Sequence, residues 1–237
     1  TLLAGSAATA CVVALPSFPL LAACGGQRSS GPSGAFRFEQ VAYGSHPQQV
    51  ADLYVPLDRQ VDGVVTLVHG GYWTVGLDRA AMAPLAEQLA TLGYAVWNID
   101  YRRIGEADGS GGWPDTLEDT AAAFDALGEI AVRFELDLRH HAAIGHSAGG
   151  QLAFWAAARH HLPPGALGAD PLVVPTALVS LSGVLDLDMA ARLPDVGRLG
   201  DIRRSVRALL GGTPDEVPDR YREASPSELV PLGRPQL

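Results

Sequence analysis

Gly145-His146-Ser147-Ala148-Gly149-Gly150 is the stretch on which the reading of this chain turns. It lies between residues 141–145, a short run read as a strand, and residues 151–159, read as a helix. The G-x-S-x-G pentapeptide therefore falls at a strand-to-helix turn. At such an elbow the serine takes a strained backbone conformation that only small neighbours tolerate, and Ala148, Gly149 and Gly150 are small. Its hydroxyl is then held above the sheet, while the Ala148 N–H stands at a helix start, where developing negative charge is favoured. A glycine-rich turn with an ordinary capping serine carries the same letters, so the motif needs a second signal.

That signal is His69-Gly70-Gly71-Tyr72-Trp73, which follows the apolar run Val64-Val65-Thr66-Leu67-Val68. A continuous run of this kind marks a strand covered on both faces. Glycines directly after it let the backbone come close, and the N–H groups of Gly70, Gly71 or Tyr72 could join that of Ala148 in binding an oxyanion. The remaining pattern is consistent with this. Residues 36–41 and 50–55 read as a hairpin around Gly44-Ser45-His46-Pro47, ended by Pro56. Residues 79–92 read as a helix closed by Gly93, 95–99 as a strand, 105–114 as a glycine-rich loop, and 116–134 as a helix capped by Thr116 and Asp119. Residues 177–181 make a further core strand, and 186–221 a lid-like excursion of helices and loops. Such alternation predicts an α/β domain with a mostly parallel, doubly wound sheet and helices on both faces.

Composition narrows the chemistry. The 237 residues carry a formal charge of −9 and no basic run, which argues against nucleic acid or an anionic membrane surface as main partner. All 17 basic residues are Arg; without Lys there is no lysine nucleophile, no Schiff base and no Walker-type phosphate loop. The two cysteines, Cys11 and Cys24, both precede the globular part, which leaves it neither a disulfide nor a thiolate zinc site. No metal and no organic cofactor is expected.

Taken together, these motifs resemble the α/β-hydrolase fold, and specifically its esterase, lipase and kynurenine formamidase branch. The resemblance covers residues 41–237. His69-Gly70-Gly71-Tyr72-Trp73 is similar to the arylformamidase form of the motif, and Tyr43-Gly44, Asp52-Leu53-Tyr54-Val55-Pro56 and Asp100-Tyr101-Arg102 are also similar to that branch. The resemblance implies Ser147 as nucleophile, Gly70, Gly71 and Ala148 lining the oxyanion hole, and Tyr72, Trp73 and Trp113 as substrate-pocket residues. It implies a serine esterase acting on a small-molecule carboxylic ester through an acyl-enzyme, with an aryl formamide as the alternative substrate.

The resemblance also sets the order of the triad as Ser, then Asp or Glu, then His. The histidines after Ser147 are His160 and His161, about 20 Å along a helix at 1.5 Å per residue, too far to act as its base. The acid and base are therefore expected beyond Leu237, with C-terminal strands and a helix missing from this chain, which would be nearly inactive alone. The rival from another class is a binding lipoprotein that keeps the elbow without a base.

At the other end, Arg28 is the first charge, and Pro16 and Pro19 interrupt an apolar stretch in a way that spoils a spanning helix. Leu21-Ala22-Ala23-Cys24-Gly25 resembles the lipobox of bacterial lipoprotein signal peptides, in which the cysteine becomes the lipid-bearing first residue. Residues 1–23 are thus expected to be a signal peptide, 24–34 a lipid-anchor cysteine and flexible linker, and 35–237 the catalytic domain. The start lacks Met and a positive segment, so the true beginning is expected to precede Thr1. Export to the bacterial cell envelope, or secretion, follows.

Overall fold

The computed structural model describes residues 35–237 apart from 58 and 234. The proposed signal peptide, Cys24 and the linker lie outside the described residues. Six strands form one sheet in the order β1-β2-β4-β3-β5-β6, from β1 (Phe36–Ala42), β2 (Val50–Pro56), β3 (Gly63–Val68), β4 (Tyr94–Ile99), β5 (His141–His146) and β6 (Ala177–Leu181). The hairpin β1–β2 is antiparallel and β2 also runs antiparallel to β4, whereas β4, β3, β5 and β6 pair in parallel. Residues 235–237 lie beside β6, with Leu178↔Gln236 as a parallel bridge.

Every residue of β3 is buried, as its continuous apolar run predicts. Its side chains alternate between two cores. Val64 and Val68 join the larger one, packed by α2 (Asp115–Phe134) and α3 (Ala148–Ala158), while Val65 and Leu67 join Ala86 and Ala90 of α1 (Ala83–Leu92) in the smaller. The sheet is thus covered on both faces. Fully buried Leu127 and Phe124 of α2 each contribute about 1.5–3 kcal/mol of burial.

The expected helix at 79–92 starts as a 3₁₀ turn, Arg79–Met82, because Asp78 accepts the Ala80 N–H; Gly93, at φ 110°, closes it. The expected cap of α2 is corrected. Pro114 stands at the N-cap and no side chain caps it. Thr116 and Asp119 are buried and turned to the Asp100-Tyr101-Arg102 segment. The Thr116 hydroxyl donates to the Arg102 carbonyl at 2.6 Å, and Asp119 receives the Arg102 guanidinium at 2.7 and 2.9 Å. A long-range charged partner outcompetes the local cap.

Residues 186–221 carry α4 (Leu187–Ala191), α5 (Gly197–Leu210) and the start of α6 (Pro218–Ala224). Leu187, Val206, Leu209 and Tyr221 sit in the larger core, and the α3 side chains Gln151 and Trp155 donate to the carbonyls of Ala224 and Glu223. Among the described residues no helix is long and apolar enough to cross a membrane.

Candidate active site

Ser147 stands between β5 and α3, at the N-cap of the helix, with φ 52° and ψ −115°, a conformation that a residue with a Cβ holds only when its surroundings enforce it. Glycines make the enforcement possible. A Cβ on Gly145 would overlap the Gly149 carbonyl, and one on Gly149 would overlap the Val68 carbonyl. One on Gly150 would stand 2.7 Å from the Gly183 Cα. The Ser147 N–H donates to the Leu181 carbonyl at 2.8 Å, which ties the elbow to the end of β6. Ser147 is partly exposed and Ala148 fully buried.

The second motif closes on the first. A Cβ on Gly70 would lie 3.2 Å from the Ser147 Cβ and 2.7 Å from the His146 Nδ1, so the loop after β3 runs directly against the serine. From Gly71 onward its backbone is left-handed, with φ 121° at Gly71, 58° at Tyr72 and 57° at Trp73. The Gly71 carbonyl is pinned by both the N–H and the hydroxyl of Thr74, each at 3.0 Å. Among the described residues the Gly71 and Tyr72 N–H groups take no acceptor. Free N–H groups beside a partly exposed serine can bind a developing anion.

His69 lies beneath this loop, fully buried. Its Nδ1 is 2.8 Å from the Gly70 carbonyl oxygen and its Nε2 3.1 Å from Asp100 Oδ1. The ring stacks on Tyr101 with centroids 4.3 Å apart, and the Tyr101 hydroxyl donates to the His69 carbonyl at 2.9 Å. Arg79 donates to Asp100 Oδ2 at 3.0 Å. Burial pushes the Asp100 carboxyl up, but the His69 hydrogen bond and charge, Arg103 and the Tyr101 N–H outweigh it and hold it below the usual range. Burial raises the Tyr101 phenol above its ordinary value, which keeps it a donor.

The expected pocket residues part company. Tyr72 is partly exposed beside the serine loop. Trp73 is a core residue, 1% exposed, because its indole N–H is satisfied by the buried Gln151 side chain at 3.0 Å; it offers packing rather than surface to a ligand. Trp113 is partly buried and tied to the helical excursion, its N–H donating to the Leu209 carbonyl and its ring lying under Arg220. His160 and His161 sit past the end of α3, against the carbonyls of Ala157 and Pro231. His146 is exposed. His141, expected only to begin a strand, is fully buried against Thr66. Sequence reasoning missed Asp100, Tyr101 and Gln151 as supports of the site; the Asp100-Tyr101-Arg102 similarity was the one signal for the first two.

A family model, BD-FAE, matches residues 51–237. A probable isoprenylcysteine alpha-carbonyl methylesterase from Oryza sativa subsp. japonica is 32% identical over 114 residues, 48% of this chain and 26% of that protein. The chain therefore spans about a quarter of the length of the curated relatives it matches. Among solved structures, esterase B from Lactobacillus rhamnosis superposes with a TM-score of 0.68 at 23% identity, covering 82% of this chain and 61% of that one. A bacterial heroin esterase superposes with a TM-score of 0.66 at 24% identity, covering 85% and 64%. With the two-faced sheet, the serine elbow and the adjoining glycine loop, the match shows that this chain belongs to the BD-FAE family, an α/β-hydrolase esterase family.

Proposed function

We propose that this protein is a serine hydrolase of small-molecule carboxylic esters, with Ser147 as nucleophile. The observation that carries the reading is the strained φ of 52° at Ser147 with Gly70 packed against it. Ser147 Oγ attacks the ester carbonyl carbon, and the oxyanion is received by the Ala148 N–H and the Gly70-Gly71 loop. Collapse expels the alcohol and leaves an acyl-enzyme, which water then hydrolyses. None of the seven histidines is assigned as the base. The names of the relatives support an ester as substrate, and esterase B was also solved inhibited by a tributyrin phosphonate.

The test is hydrolysis of a short p-nitrophenyl ester by the protein that carries this sequence, against its Ser147→Ala variant. Loss of a nucleophile of this type lowers kcat by about 10⁶ where the whole triad operates. An equal rate in the variant refutes the assignment, and a wild type without turnover favours the binding-protein alternative. We also propose that Cys24 carries a lipid and holds the domain at the cell envelope; a Cys24→Ser variant that stays in the membrane fraction refutes this.

A further inference from the structure

We propose that His69 is a positioning residue for the oxyanion loop: it donates a hydrogen bond from each ring nitrogen, one to Asp100 and one to the Gly70 carbonyl, and so fixes which way the Gly70–Gly71 peptide faces. The proposal rests on the serine-hydrolase reading and extends it to residues that the reading leaves unused.

A carbonyl oxygen has no hydrogen to give, so the 2.8 Å contact to Gly70 places a hydrogen on Nδ1. Asp100 receives Arg79 at 3.0 Å and the Tyr101 N–H at 3.0 Å, with Arg103 at 3.8 Å, surroundings that keep it a carboxylate. A carboxylate likewise only accepts, so the 3.1 Å contact places the second hydrogen on Nε2. Tyr101 offers no competing donation to the ring, because its hydroxyl hydrogen goes to the His69 carbonyl at 2.9 Å. The imidazole therefore carries two hydrogens and is clamped between the loop and the end of β4.

The consequence is geometric. In a trans peptide the C=O and the next N–H point in opposite directions. With the Gly70 carbonyl held down on the imidazole, the Gly71 N–H faces away from it. Thr74 does the same for the next peptide by holding the Gly71 carbonyl, which fixes the Tyr72 N–H. Glycine is the residue type most free to flip such a peptide, so a loop of two glycines needs external pins to keep its donors ready. Asp100 and Tyr101 then act through His69: one anchors the far ring nitrogen, the other stacks on the ring face.

Two measurements test the proposal. The first is ¹H–¹⁵N correlation spectroscopy of the imidazole nitrogens in the wild-type protein. Hydrogens on both His69 nitrogens are expected, whereas a single-tautomer pattern overturns the clamp, whatever the protein hydrolyses. The second is the rate of covalent labelling by a fluorophosphonate in wild type, His69→Phe, Asp100→Leu and Asp100→Asn. His69→Phe keeps the ring against Tyr101 and removes both donors.

Its labelling rate and kcat are expected to fall about 10²-fold with KM little changed. Asp100→Leu should fall similarly, and Asp100→Asn, which keeps an acceptor, should recover most of the rate. His69→Phe that labels at the wild-type rate overturns the proposal, as does a loss that follows the unfolded fraction in thermal melts of the same samples. A wild type that does not label at all refutes the hydrolase reading and the positioning role with it. The ring hydrogens would still show whether the clamp exists.

Discussion

Acidification should unfold this domain through His141. The imidazole is fully buried at the start of β5, its Nε2 2.8 Å from the Thr66 hydroxyl and its Nδ1 without a partner among the described residues, and burial lowers its pKa from 6.5 to about 4. The folded form thus holds it neutral where the unfolded chain binds a proton. Stability from this group is fully present above about pH 6.5 and is lost as the pH falls toward about 4. The gap, at about 1.36 kcal/mol per pH unit, amounts to about 3 kcal/mol, of which about 2.5 is gone by about pH 4.5. Urea unfolding at about pH 7.5 and 4.5 measures the loss, and the same pair of curves on His141→Asn removes this titration from the background of the carboxylates. Wild type should lose about 2.5 kcal/mol more than the variant over that interval. Equal losses in the two proteins would refute the reasoning.

Three other perturbations probe the frame of the site. Gly149→Ala drives a Cβ into the Val68 and His69 carbonyl oxygens, so the elbow must shift; a destabilisation of about 3 kcal/mol in chemical denaturation is expected, with labelling of Ser147 lost, and a neutral result contradicts the packing. Arg159, with 1% of its side chain exposed, donates to Asp125 and to the Gly168 and Ala121 carbonyls, at 2.6, 2.6 and 3.0 Å. Arg159→Ala should therefore destabilise by about 3–5 kcal/mol in a urea titration. Gln151→Leu strands the Trp73 indole N–H and the Ala224 carbonyl, both buried, and should lower the thermal midpoint through about 1–3 kcal/mol per unpaired group.

What the sequence made legible was local. The elbow is written in six consecutive residues, and β3 in an unbroken apolar run, because a strand covered on both faces has no polar side to show. The helix at 116–134 was equally plain, yet its cap was misread. Thr116 and Asp119 have the spacing of a capping pair, and only the fold brings Arg102 and Gln49 to Asp119. His69 and Asp100 are likewise 31 positions apart and meet because β3 and β4 are parallel neighbours with their ends in register. Burial of His141 and of Trp73 depends on which helix crosses the sheet there, and periodicity does not carry that information.

The central claim is that Ser147 is the reacting atom's owner. Treatment of the protein with a fluorophosphonate, followed by proteolysis and mass spectrometry, tests it most directly. One adduct is expected, on the peptide carrying Gly145-His146-Ser147-Ala148-Gly149, with its loss in Ser147→Ala. An adduct on another residue, or undiminished labelling of the variant, would contradict it.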